Sequence, residues 1–526
     1  MKLNINPDFE KYGIGRNELK AEAEKLAVKP TITPHDKILN HLLSQIQPID
    51  FQALAFPESK EIKTVLNGLK AKAKTEPDNE NLKEQIEELK EKLKKFKVQN
   101  KHYLVLSIEN VLILANKNLW GLCKNHDFIY LFNSTFWAEI DNETFQKFLG
   151  EAAEFQTVHL FDAKLYSFRE QLFKQFLATA YLPTPEVNNK TVLINLQNGT
   201  FEISTEGTKL RPFDRSDFIT YQLPFEYNPD AKAPIFEAYL NRVLPDIERQ
   251  NVLAEYLGYV FVKHGSKALK EEKALVLYGT GANGKSVFFE IVNALLGAEN
   301  VSSYSLQSLT NENGYFRAKL ANKLVNYASE INGNLEASIF KQLVSGEPVE
   351  ARLPYGQPFN LKQYAKLIFN CNELPKDVEH TNAYFRRFLI IPFDVTIPPQ
   401  EQDKQLHSKI IENELSGVFN WVLDGLNRLL VQKRFSECEA AKRAVEQYKV
   451  ESDSVQMYLG EYEYSVSPTN TIPLKDLFTE YRSYCIESGF KPVSLKTLAE
   501  RLRNAGFATE RKNFGMAVFA VKKSFF

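Results

Sequence analysis

Apolar residues recur along this chain at two spacings, and each spacing predicts an element. Over Asn79–Lys97, Leu82, Ile86, Leu89, Leu93 and Phe96 fall four and three apart, one apolar stripe on a charged helix. The stripe is too short for a coiled coil, so it reads as a solvated surface helix or as a partner-binding one. Residues 1–100 as a whole read as helical and polar. From about 102 to 141 the rhythm changes to alternation: DFIYLFNSTFWAEID predicts a hairpin with Asn133 and Ser134 at the turn. Helices are predicted over 143–153 and 164–180, and Pro183 and Pro185 then break the chain. Strand patches surround Asn198–Gly199 and Glu206–Gly207, pairs that suit tight turns. Helical spacing returns over 234–263 and again over 400–450, and 274–395 reads as one α/β block after a short charged linker at 267–273. The last segment predicts a helix in IPLKDLFTEYRSYCIESGF, a second in SLKTLAERLRNAGF capped by Ser494, and two strands around Asn513–Gly515.

Composition narrows the class. At roughly 100–200 residues per domain, a chain of 526 residues is expected to hold three or four. Hydrophobic residues are 44% and charged residues 25%, as in soluble globular proteins. No apolar run approaches the roughly 18–20 residues that span a bilayer, and MKLNINPDFEKYG has no charged-then-apolar signal pattern. The expected location is the cytoplasm, with no membrane partner. Cys123, Cys371, Cys438 and Cys485 are far apart with no CxxC, which predicts buried reduced thiols, neither a zinc site nor a disulfide framework. Formal net charge is −1, yet from Gly489 onward Lys491, Lys496, Arg501, Arg503, Arg511, Lys512, Lys522 and Lys523 face only Glu500 and Glu510. That basic tail is a candidate nucleic-acid surface.

The strongest chemical signal lies at 274–297. ALVLY is a short apolar strand, GTGANGKS fits G-x-x-x-x-G-K-S/T, and SVFFEIVNALLG continues as a helix ending at Gly297. Phosphate oxygens need several convergent N–H donors. Gly279, Gly281 and Gly284 let the backbone approach closely, with Thr280, Ala282 and Asn283 completing the loop. The helix N-terminus adds its free N–H groups. Lys285 brings a full positive charge, and the Ser286 hydroxyl is placed to ligate Mg²⁺. ATP and Mg²⁺ are therefore the expected ligands.

Three further segments place polar groups at strand ends. KLVNYASEI ends in Glu330, an acid suited to hold the metal through water or to polarise the attacking water. KLIFNCNELP is followed by Asn372, a neutral amide able to orient that water. YFRRFLIIPF sets Arg386 and Arg387 before another strand, and an arginine donated to a neighbouring subunit stabilises transition-state charge. GTGANGKS, ASE, NELP and FRRF–IPF together resemble the superfamily 3 helicases, closest to the poxvirus-type primase-helicases of phages, plasmids and integrated mobile elements. SGEPVEARLPYGQPFNLK, residues 345–362, resembles the family's segment between acid and sensor asparagine. Residues 194–240 resemble its domain before the core, and the similarity runs from about residue 100 to the end. Many members carry two adjacent acids where this chain has Ser329–Glu330.

The resemblance implies an α/β, multidomain chain: an AAA+-like P-loop ATPase core, a preceding α+β domain and a C-terminal winged-helix domain. It implies a hexameric ring with ATP between subunits, Lys285 and Ser286 as the phosphate-loop pair, Glu330 as the acid and Ser286 with Glu330 toward the metal. Asn372 is then the sensor and Arg386 or Arg387 the arginine finger. The 345–362 segment becomes a pore hairpin in which Arg352, Tyr355 and Lys362 grip single-stranded DNA. Lys496, Arg501 and Arg503 are the winged-helix DNA contacts. Expected domains are 1–100, 101–268, 269–398, 399–453 and 454–526. Residues 1–100 are too few and too helical for a primase domain, so a separate primase or loader is an expected partner. The activity expected is ATP-dependent DNA unwinding on single strands and forks. The alternatives are an origin-melting initiator and an ATPase that remodels a protein client.

Overall fold

A computed structural model gives the fold and describes residues 33–125, 128–180, 191–204, 207–329, 331, 335–354, 356–376 and 378–523. It divides into two compact units. The expected helical character of residues 1–32 lies outside the described residues, as do Glu330 and Tyr355.

One unit takes in residues 26–186 with Arg211–Gln222. Its helices are α1 (His35–Gln45), α2 (Phe51–Ala55), α3 (Pro57–Thr75), α4 (Glu80–Lys94), α5 (Asn100–Lys117), α6 (Asn142–Phe155), α7 (Leu160–Lys164) and α8 (Tyr166–Thr179). Strands β1 (Gly121–Asn125), β2 (Phe128–Phe132) and β3 (Trp137–Ile140) pair antiparallel in that order. The predicted turn joins β2 to β3: Asn133 Oδ1 accepts from the N–H of Thr135 and Phe136, each at 3.1 Å, and Ser134 takes φ +76°.

Ile38, Leu42 and Phe51 share an apolar core with Ile108, Val111, Ile129, Leu131, Phe145 and Phe176. The boundary expected at 100/101 therefore runs through one core. The stripes of α1 and α5 each need a covering surface, and the β1–β3 sheet with α6 and α8 supplies it. The stripe on α4 is covered from within as well. α3 and α4 pack as a pair, Ile86 is buried, and Phe96 meets Phe56 with ring centroids 5.5 Å apart.

The second unit takes in Val187–Leu210 and Leu223–Phe526. It opens with a three-stranded sheet of β4 (Val192–Leu196), β5 (Gly199–Ser204) and β6 (Gly207–Arg211). Helices α9 (Pro234–Val243) and α10 (Ile247–Tyr259) follow. Next come β7 (Ala274–Tyr278), α11 (Lys285–Leu296), β8 (Val301–Ser302), α12 (Leu306–Leu309), α13 (Tyr315–Ala318), β9 (Val325–Ala328) and α14 (Ala337–Ser345). A hairpin of β10 (Val349–Ala351) and β11 (Phe359–Leu361) leads to β12 (Lys366–Cys371), α15 (Asn382–Phe385) and β13 (Phe388–Pro392). The five-stranded sheet has the order β13-β7-β12-β9-β8 and is parallel throughout. Leu275, Val276, Leu277, Ile368, Phe369 and Ile390 are all fully buried, so the central strands are apolar on both faces, as a helix-covered parallel sheet requires.

Helices α16 (Leu406–Asn413), α17 (Leu415–Gln432) and α18 (Glu439–Glu451) follow. α17 crosses α10 with almost no side chain between them. A Cβ at Gly258 would lie 2.7 Å from Leu426 Cα, and one at Gly425 would lie 2.4 Å from the Ala254 carbonyl carbon. Beside this crossing the fully buried Glu255 accepts from Arg428 Nε at 2.6 Å and from Ser436 N at 2.8 Å, so its charge is paired. Tyr256 Oη donates to Leu367 O at 2.6 Å and ties α10 to β12. The boundary expected at 268/269 thus falls inside a compact unit, because α10 packs on the sheet and on α17. Gly258→Ala is expected to destabilise the protein by about 1–3 kcal/mol through overpacking, read as a lowered urea midpoint. An unchanged midpoint would show that the two helices have room to separate.

The chain closes with α19 (Ser454–Glu461), β14 (Tyr464–Pro473), α20 (Leu474–Glu487), α21 (Leu495–Asn504), β15 (Thr509–Lys512) and β16 (Gly515–Lys522). Strand order is β14-β16-β15, over a core that includes Tyr458, Leu477, Tyr481, Leu498, Leu502 and Val518. Ser494 caps α21 by accepting from Thr497 N at 3.2 Å, as its sequence position predicts. α19 and β14 were not predicted. All four cysteines are buried, and none is in a disulfide.

Candidate functional site

The site is built at the carboxyl edge of the parallel sheet, where ligands of open α/β sheets sit. Tyr278 of β7 is in register with Cys371 of β12, and Ala328 of β9 with Phe369. The chain therefore leaves these neighbouring strands at Gly279, Asn372 and Ser329 along one edge. Gly279 N donates to Cys371 O at 3.2 Å across it. Asn372 and Ser329 are exposed there.

Residues 279–284 turn through left-handed backbone: Gly281 has φ +116°, Ala282 +49° and Gly284 +88°. A Cβ at Gly279 would fall 2.2 Å from Asn283 Nδ2 and 2.6 Å from Phe393 O, so glycine is required by space. Asn283 Nδ2 donates to Phe393 O at 3.1 Å and pins the loop beside β13. A Cβ at Gly284 would fall 2.7 Å from Val243 Cγ1, and Tyr239 Oη donates to Gly284 O at 2.9 Å. Tyr239 and Val243 of α9 thus back the loop from about forty residues upstream in sequence, a contact with no sequence signal.

Lys285 opens α11 and is buried, at 6% exposure. Its Nζ donates to Gly279 O at 2.7 Å and to Asn283 Oδ1 at 3.1 Å, both neutral acceptors. Burial holds its pKa below the usual lysine value. A buried ammonium at a helix N-terminus, with neutral oxygens as its partners among the described residues, is chemically suited to receive an anion. Thr280, Ala282 and Ser286 are exposed along the same loop. The donor set fits a polyphosphate, and the Ser286 hydroxyl beside it fits an oxygen-preferring divalent cation.

The two arginines stand elsewhere. Arg387 O accepts from Ala274 N at 2.8 Å, so the pair sits at the amino end of the sheet. The length of β7 separates it from Gly279, roughly 16 Å at 3.3 Å per residue. The side chains differ sharply. Arg386 is 64% exposed and Arg387 9%, although both reach Glu272 Oε2 at 3.4 Å. Arg387 donates to Ser345 Oγ from Nη2 at 2.7 Å and from Nε at 3.2 Å, and to Ala383 O from Nη1.

The 345–362 segment does contain a hairpin, with Ala351 opposite Phe359 and Val349 opposite Leu361. Arg352 lies toward its tip and is braced by Tyr315, donating to Oη at 2.9 Å with its guanidinium 5.0 Å from the ring centroid. Lys362 is exposed at the foot. The hairpin therefore sets these two cations at opposite ends. In the last segment Lys496 and Arg503 are exposed on α21, while Arg501 pairs with Asp453 at 2.9 Å. That ion pair ties α21 to the N-cap of α19 and separates Arg501 from its two neighbours.

Two clusters escaped the sequence. Asp246, Glu248 and Cys438 bring their ligand atoms within 4.8 Å of one another. Asp246 is occupied as the cap of α10, and Glu248 accepts from Glu439 N at 3.1 Å, so the cluster is a joint between α10 and α18. The second is His264 with Lys366 under the hairpin's feet, where Lys366 Nζ meets His264 Nδ1 at 3.0 Å and lies 4.1 Å from the Tyr259 ring centroid. Burial pushes Lys366 down to about 7, and burial with the adjacent Lys366 charge pushes His264 well below its usual value. Both groups bind protons more weakly folded than unfolded. His264 therefore costs stability as pH falls below its unfolded value near 6.5, and Lys366 adds stability as pH rises above about 7. Thermal midpoints are expected to rise between pH 5 and 9, with Lys366→Met flattening the part above pH 7. An unchanged slope in the variant would contradict this.

Fold and site together define the class: a multidomain α/β chain whose parallel sheet carries a glycine loop between the interior strand β7 and the next helix. Residues 36–245 match a family described as D5 N terminal like, and residues 277–387 match a family of unknown function, DUF5906. The first match begins well before residue 100, where the sequence alone offered no resemblance. The chain is 25% identical over 241 residues to "Putative helicase L207/L206" of Acanthamoeba polyphaga mimivirus, covering 43% of this chain and 24% of that protein. It is 22% identical over 374 residues to "Putative helicase 121R" of Invertebrate iridescent virus 3, covering 62% of this chain and 38% of that one. The chain thus spans about a quarter and about two fifths of the lengths of these relatives. Among solved structures, the apo A form of the NrS-1 C-terminal region aligns with TM-score 0.43 and 13% identity, over 80% of this chain and 99% of that one. Among the described residues no helix is long and apolar enough to cross a membrane.

Proposed function

We propose that this chain is an ATP-dependent DNA helicase of the superfamily 3 type. It works in the host cytoplasm as a hexameric ring that moves along single-stranded DNA and opens forks during replication of a phage, plasmid or integrated mobile element. The observation that carries this reading is Lys285, a buried cation with neutral partners at a helix N-terminus on the carboxyl edge of a parallel sheet. The helicase names of the viral relatives support it.

In this reading the N–H groups of Gly279, Thr280, Gly281, Ala282, Asn283, Gly284, Lys285 and Ser286 cradle the phosphates of ATP. Lys285 Nζ exchanges Gly279 O for the outer phosphates. Ser286 and Glu330 would hold Mg²⁺, which would supply charge neutralisation on the phosphates. Asn372, exposed beside Gly279, orients the attacking water. Arg386 is the residue offered to a neighbouring subunit's ATP: it is exposed and far from its own chain's loop, whereas Arg387 is held inside.

The parallel order β13-β7-β12-β9-β8 supports an AAA+-like core. The succession helix, strand, helix, helix, strand, strand over 454–522 supports a winged helix whose exposed Lys496 and Arg503 meet DNA. In the ring the β10–β11 hairpin faces the pore, and Arg352, Tyr355 and Lys362 are the residues proposed to meet single-stranded DNA. A separate primase or loader completes the system.

The test is strand separation on a forked duplex with ATP and Mg²⁺, by wild type and Lys285→Ala. The reading expects separation by the wild type alone. A fork left paired while ATP is consumed points instead to origin melting or to a protein client.

A further inference from the structure

The exposed arginine and the hairpin belong to one packed block. α14 ends at Ser345, and Gly346, at φ +70°, turns the chain into β10. Phe340 of α14 stacks on Phe388 at 4.9 Å and meets Tyr384 at 5.5 Å, all three buried. Lys341 pairs with Glu379 at 2.8 Å. Ser345 Oγ accepts both Arg387 bonds, so the residue next to Arg386 holds the last residue of α14. The backbone of the arginine pair is fixed to the start of β7, where Lys273 Nζ donates to Arg386 O at 2.6 Å.

The hairpin's far foot is clamped to the same place. Tyr364 Oη lies 2.9 Å from Glu347 O and 3.2 Å from Gln342 O. Gln363 and His264 exchange hydrogen bonds at 2.9 and 3.1 Å. A Cβ at Gly346 would strike His264 Nδ1 at 2.3 Å. Ser345 and α14 therefore join the Arg386 segment to both strands of the hairpin in one packed block.

We propose that the Ser345–Arg387 contact couples the state of the neighbouring subunit's nucleotide to the position of the DNA-facing hairpin. The proposal rests on the helicase reading and adds to it a positioning residue, Ser345, that touches neither nucleotide nor DNA. The residue transmits: when Arg386 engages a phosphate across the subunit boundary, Arg387 and Ser345 carry the displacement to the hairpin, and DNA in the pore acts back on turnover by the same route.

The experiment uses the full chain as wild type, Ser345→Ala and Ser345→Thr, with ATP turnover measured against increasing oligo-dT. The alanine variant is expected to keep its DNA-free turnover and to lose the severalfold DNA stimulation, a change within the range of site-to-site couplings. The threonine variant, which keeps the hydroxyl, is expected to recover it. Full stimulation of Ser345→Ala overturns the proposal, as does loss of DNA-free turnover in that variant, which would make Ser345 a support of the fold. A wild type indifferent to DNA overturns the helicase reading itself, and is told apart because the failure then precedes any substitution.

Discussion

Lys285→Ala is expected to lower ATP turnover by about 10²–10³-fold, the scale seen when one preorganised stabilising group is removed from a site. The loop should survive the change. Asn283 still binds Phe393 O, Tyr239 still binds Gly284 O, and the glycine geometry is set by those contacts and not by the ammonium. The variant loses a charge that the fold has already desolvated and left with neutral partners. Steady-state phosphate release, with circular dichroism to confirm folding, measures it. Turnover close to wild type would mean that the loop holds no phosphate during the reaction.

Arg386→Ala is expected to cost about 10³–10⁵-fold in turnover, the range for a missing arginine finger. Because Arg386 stands a strand's length from its own loop, its effect should be in trans. Mixing Lys285→Ala subunits with Arg386→Ala subunits then creates sites with an intact Lys285 from one and an intact Arg386 from the other. Turnover should reappear in the mixture although each variant alone is inactive. If mixing restores nothing, the arginine does not cross a subunit boundary. If Arg386→Ala alone is fully active, the exposed guanidinium is only a surface ion-pair partner of Glu272.

Local signals were legible in the sequence where the chemistry is local. The glycine loop follows an apolar run and opens a helix. Ser494 caps α21 from its own sequence position, and Asn133 forms the turn that its neighbours imply. What stayed hidden is non-local. Arg387 and Ser345 lie 42 positions apart, and Glu255 meets Arg428 across 173. An apolar stripe shows that a helix has a buried face but does not name its partner. For that reason α1 looked separate from the β1–β3 sheet and α10 from α17, and the alternation expected from about residue 102 is instead the helix α5 as far as Lys117. The choice within the arginine pair was also beyond sequence, because only burial distinguishes Arg386 from Arg387.

The measurement that bears most directly on the central claim is ATP hydrolysis by the wild-type chain with and without single-stranded DNA. The account predicts that DNA raises turnover severalfold and that Lys285→Ala removes both the basal and the stimulated rate. Robust hydrolysis with the same rate in the presence and absence of DNA would contradict it, leaving the phosphate loop standing and the DNA motor refuted.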